Sequence, residues 1–197
     1  MSIPVVIRLV FWCWFAAAVL AGQQRVLQRL PSLATPGILL GLTVLLLLGY
    51  FRLTALRDWV NRLDLRGLVL IHVSRFVGFY FLLLYARGEL PYAFAVPGGV
   101  GDCIVALGAL LVVFLPVSYE RRQHLIYIWN VVGLIDIMLI VFTAIYFNLS
   151  GSWQLRALTR LPLSLLPTFL VPLIIATHLV IFTRIARARA ARTNALP

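Results

Sequence analysis

The chain has 197 residues, of which 62% are hydrophobic and 12% charged, with a mean hydropathy of +1.01; its apolar runs are too long and too many for a soluble domain of this size. The net charge of +11 comes from 17 basic residues, all arginine. They gather at the ends of apolar runs with no aromatic–basic interleaving, which points to membrane orientation and away from nucleic acid, and the absence of lysine excludes Schiff-base chemistry.

Taken in order, the runs predict an all-α integral membrane bundle of six transmembrane helices in a single domain over 1–197, with spans at about 3–22, 37–56, 68–86, 99–117, 125–148 and 164–185. The first run is broken only by Arg8. Its AAAVLAG end imitates a signal peptide, but a single arginine ahead of it favours a membrane helix. Gln23 to Pro36 reads as a loop. In the second helix Gly37 and Gly41 form a GxxxG, with Gly49 on the same face; the motif suits packing inside the bundle, and a homodimer is the competing use. Arg57 to Gly67 is a charged connection suited to a short interfacial helix with Trp59 at the headgroups.

The third helix, LVLIHVSRFVGFYFLLLYA, carries His72, Ser74 and Arg75. An arginine at a bilayer centre costs roughly 2.5–3.5 kcal/mol on insertion scales, so a partner, a water-filled cavity or a ligand is expected to offset it. The following LPYAFAVPGGVGD contains Pro91, Pro97 and three glycines, and predicts a non-helical hinge that places Asp102 at the N-terminus of the fourth helix. SYERRQH then reads as a turn with His124 at the surface. The fifth helix contains Asn130, Gly133 and Asp136. Asn148 opens an Asn-Leu-Ser acceptor sequence, meaningful only in a secretory pathway. The sixth contains His178, with Pro167 and Pro172 expected to kink it or free carbonyls for another donor. A short basic tail follows. Ten arginines in the second and fourth loops and the tail, against five on the other side, predict a multi-pass inner-membrane protein with both termini cytoplasmic.

LPYAFAVPGGVGD, IWNVVGLID and LLPTFLVPLIIATH together resemble a group of small, uncharacterised bacterial membrane proteins, over about residues 68–185. The resemblance implies a six-span membrane protein and brings no activity with it. Members of the group commonly carry Gln at the position of His72, which argues against a mechanism that needs His72 as a ligand.

The candidate ligand- or proton-binding residues are His72, Arg75, Asp102, Asn130, Asp136 and His178. At about 1.5 Å per residue, His72 and Asn130 lie about 6–8 Å from the cytoplasmic ends, Arg75 and His178 about 10 Å, and Asp136 about 16 Å, with Asp102 about 5 Å from the opposite side. The groups are therefore expected to be staggered across the membrane, with Arg75 reaching Asp136. His72 and Arg75, three apart, share a face. The leading reading is a transporter-like or small-ligand-binding protein with a protonatable interior. One alternative is a b-type haem carrier with His72 and His178 as axial ligands; another is a structural or assembly subunit, its polar groups serving only to fix helix packing. No hydrolase, nucleotide or zinc signature is present, no metal site is expected, and Cys13 and Cys103 read as buried free thiols.

Overall fold

A computed structural model describes residues 3–31, 33–150 and 153–193; the end of the basic tail and the tip of the last loop, Gly151 and Ser152, lie outside them. Among the described residues the chain is all-helical, and six of its helices are long and apolar enough to cross a membrane: Ile3–Gln23, Ala34–Arg52, Leu65–Ala86, Tyr92–Phe114, Tyr119–Leu149 and Leu166–Ala191. We number the α-helices α1 (Ile3–Gln23), α2 (Val26–Arg29), α3 (Ala34–Arg52), α4 (Thr54–Arg62), α5 (Leu65–Leu70), α6 (Gly78–Ala86), α7 (Tyr92–Phe114), α8 (Tyr119–Leu149) and α9 (Val171–Thr193).

Several boundaries differ from the sequence reading, each for a local reason. The second span stops at Arg52, where Leu53 turns extended and the chain enters α4. This short helix, TALRDWVNR, has no buried residue and lies at one end of the bundle. The Tyr50 hydroxyl donates to Asn61 Oδ1 (3.2 Å) and Arg184 Nη1 to the Val60 carbonyl (3.4 Å), which holds it there. The third span is composite: α5, begun by Asp64 accepting from the Arg66 amide, passes into a 3₁₀ stretch, Ile71–Val77, and then α6. A 3₁₀ turn eclipses residues three apart. His72 and Arg75 therefore stand in one row, both with no exposed surface.

The expected hinge at Pro91 to Asp102 does not exist. Pro91 sits just before the first residue of α7, where its missing N–H costs nothing, and the helix runs on through Pro97. The glycines serve packing instead of a turn. A Cβ on Gly78 would overlap the Gly99 carbonyl, and one on Gly99 would lie 2.7 Å from the Gly78 carbonyl, so α6 and α7 cross backbone to backbone. Asp102 consequently lies in mid-helix and caps nothing.

SYERRQH is likewise not a turn. Ser118 caps α8, which starts at Tyr119, and Arg122 is buried. Its guanidinium donates to the carbonyls of Val112 (2.7 Å), Val113 (2.6 Å) and Leu115 (2.7 Å), closing the C-terminal end of α7 with a positive charge on the negative pole of the helix. His124 is exposed.

The sixth span opens with a π-helical turn, Leu166–Leu170, ahead of α9. Pro172 has no N–H for the Thr168 carbonyl, and Trp14 Nε1 from α1 donates there instead (3.0 Å). The rings of Phe11, Trp14 and Phe15 pack on Phe169. This patch secures α1, which otherwise turns mostly exposed apolar residues outward. Cys13 is exposed on that surface, contrary to the expected burial, and is a free thiol like Cys103. Gly37 and Gly41 have nothing within 4 Å of a built Cβ, so they serve no packing inside the bundle, which corrects the preferred use of the GxxxG.

Two apolar clusters fill the interior. One includes Leu39, Phe81, Phe94, Ile137, Val141 and Ile174; the other Val69, Val105, Val112, Ile126, Ile181 and Ile185. Between them, on the third span, α7, α8 and α9, lies a layer of polar residues with almost no exposed surface.

Candidate functional site

Arg75 is the centre of that layer. An arginine keeps its charge in proteins and offers five donors in a planar fork. Here Nε donates to Asp102 Oδ1 (2.6 Å), Nη1 to the Gly133 carbonyl (3.0 Å), and Nη2 to Asp136 Oδ2. Each neighbour follows from local structure. The 3₁₀ stretch turns Arg75 inward, and the Gly78–Gly99 crossing brings α7 close enough for Asp102, three residues beyond Gly99, to meet Nε. Asp136 lies beside Gly101, where a Cβ would overlap its carboxylate. The expected pairing of Arg75 with Asp136 is present. The expected stagger is not: because α7 starts at Tyr92, Asp102 stands level with Arg75 instead of near the opposite face.

One guanidinium thus serves two carboxylates. If both are ionised, the cluster carries one excess negative charge in a low-dielectric layer, where an uncompensated charge is costly. The Asp102 side chain is only 6% exposed and accepts from Arg75 through Oδ1. Asp102 and Arg75 form the floor of an apolar cavity of about 80 Å³, walled by Leu39, Phe81, Phe94, Val141 and Ile174 and reaching Thr35, Asn148 and Thr159. That is several times the roughly 10–15 Å³ needed by one water. On α8 the lining runs from Ile137 to Asn148, about 16 Å at the helical rise, so the cavity is a shaft along the bundle.

A second buried group adjoins the first. Asn130 Nδ2 donates to the His178 carbonyl (3.0 Å), which fixes the amide orientation and leaves Oδ1 to accept from His178 Nδ1 (2.8 Å). His72 Nε2 meets Thr177 Oγ1 (3.2 Å), whose own proton goes to the carbonyl of Leu173 or Ile174. The remaining ring nitrogens, His72 Nδ1 and His178 Nε2, have no hydrogen-bond partner among the described residues. Gly133 joins the two groups: its carbonyl accepts from Arg75, and a Cβ there would lie 2.7 Å from His178 Cε1.

The His72 and His178 rings are in direct contact, with centroids 4.2 Å apart, and Trp129 closes one side at 4.9 Å from His72. Axial haem ligands must stand on opposite faces of a macrocycle. Rings in contact leave no room for one, so the haem reading of His72 and His178 is corrected. Thr177 and the Gly133 carbonyl were missed by sequence reading. Thr177 is adjacent to His178 and three residues after Ile174 in an apolar run, a faint signal; a backbone acceptor leaves none.

Residues 33–186 match the family model described as "Domain of unknown function (DUF8737)". No curated protein and no solved structure matches the chain.

Proposed function

The chain belongs to the DUF8737 family, and we propose that it is a bacterial inner-membrane protein of transporter-like, small-ligand-binding type, in which an apolar molecule reaches a protonatable polar centre. The observation that carries this reading is the shaft itself: an apolar cavity whose floor is Arg75 and Asp102. A purely structural polar layer needs no such space, since its function is met when every group is paired and packed. Intramembrane ionisable groups that face a cavity are the usual marks of a substrate or proton path. The arginine asymmetry supports cytoplasmic termini, with the Thr35 and Asn148 end of the cavity facing outward. The bilayer is the surrounding partner, and the open Gly37/Gly41 face of α3 supports a second copy beside it.

The test uses protein in lipid nanodiscs and three probes built on an eight-carbon chain: octyltrimethylammonium, octanoate and octanol. At least one is expected to raise the melting temperature of the natural chain, and to lose that effect in Ala144→Phe, which fills the cavity wall. If no probe discriminates between the two proteins, the ligand-binding reading fails.

A further inference from the structure

The charge count at the floor of the cavity identifies what the site takes. We propose that it binds the cationic head of an apolar, monovalent molecule in exchange for one proton; this rests on the ligand-binding reading above. Three observations converge. The guanidinium of Arg75 is shared between two carboxylates, so the cluster is neutral only with one further positive charge, which is a proton when the site is empty of ligand. Each carboxylate engages Arg75 through one oxygen, Asp102 through Oδ1 and Asp136 through Oδ2, and of the two it is Asp102 that lines the cavity, on a side chain otherwise buried. Apart from Thr35, Asn148 and Thr159 at the far end, the wall is apolar, with Phe81 and Phe94 in ring contact (5.5 Å), a surface suited to an apolar body and to the faces of an alkylated cation.

The alternatives fit less well. An anionic head would approach Arg75 through two carboxylates that already engage it, adding a negative charge to a site that one proton has only just made neutral. A neutral molecule leaves the proton in place and draws on none of the charge at Asp102. In the exchange, the cation enters as the proton carried by Asp102 Oδ2 leaves for bulk water; Arg75 keeps Asp136, and the ionised Asp102 turns Oδ2 to the incoming head. No covalent bond other than O–H is made or broken, and the charge of the layer is the same before and after.

The same nanodisc preparation tests this with a permanently charged probe, so that any proton counted comes from the protein. Octyltrimethylammonium added in weak buffer with a pH-indicating dye is expected to release up to one proton per molecule bound. It should also bind roughly tenfold or more tightly than octanoate or octanol, the factor given by about one charge-assisted contact. Asp102→Asn should abolish the proton release and the preference among probes, while octanol binding persists. A melting profile and the Asp102→Glu variant, which should regain proton release, separate this from misfolding. If octanol or octanoate binds as well as the ammonium, or if the ammonium binds without releasing protons, the cation-for-proton inference is overturned while ligand binding stands. If none of the three binds, both fail together.

Discussion

Removal of the two carboxylates around Arg75, singly and together, has an outcome set by the geometry. If Asp136 were the sole partner of Arg75, Asp136→Asn would strand a buried cation and cost on the order of 3–5 kcal/mol. With Asp102 also on the guanidinium, either single change leaves a neutral ion pair. Each of Asp102→Asn and Asp136→Asn should then cost only about 1 kcal/mol, because the guanidinium keeps one carboxylate and the new amide oxygen still accepts from it, so the two single losses together fall short of the double. The double variant leaves Arg75 with amide oxygens and the Gly133 carbonyl, so the cost of about 3–5 kcal/mol for an unpaired buried charge appears only there. Adding Arg75→Gln to the double variant should recover much of that loss. The assay is equilibrium unfolding in mixed micelles, analysed as a triple-mutant cycle. Two strictly additive single losses, or a single variant as unstable as the double, would refute a guanidinium shared between the two carboxylates.

Three further outcomes follow from the packing. Arg122→Ala should destabilise by at least the roughly 1.5–3 kcal/mol of one charged hydrogen bond, and Arg122→Lys should recover only part of it, because one ammonium cannot span three carbonyls; unfolding in the same micelles reads both. Trp14→Phe should cost about 1 kcal/mol through the lost bond to the Thr168 carbonyl, and Pro172→Ala, which restores an N–H for that carbonyl, should reduce the penalty; an undiminished loss in the double variant would contradict the substitution of one donor for the other. Gly78→Ala or Gly99→Ala should abolish folded protein in a size-exclusion assay, whereas Gly41→Ile should fold and change only self-association measured by cross-linking.

The membrane bundle was legible in the sequence because length and hydropathy alone decide whether a helix can cross a bilayer, and every unpaired peptide group there demands a helix. The residues of the site were legible for a related reason: an ionisable group in an apolar run is costly, so His72, Arg75, Asp102, Asn130, Asp136 and His178 stood out by their cost. What the sequence did not reveal was which of them meet. Pro and Gly between 91 and 101 suggested a broken backbone, since both residues are as common in turns as in close helix crossings. Only the crossing of Gly78 over Gly99 decided for the helix, and with it the level of Asp102. The same holds for Arg122, which looks like any interfacial arginine until the end of α7 is placed above it. Depth along one helix is a local quantity. Contact between helices depends on how far each pair of backbones can approach, and that is fixed by the tertiary arrangement of the small residues between them.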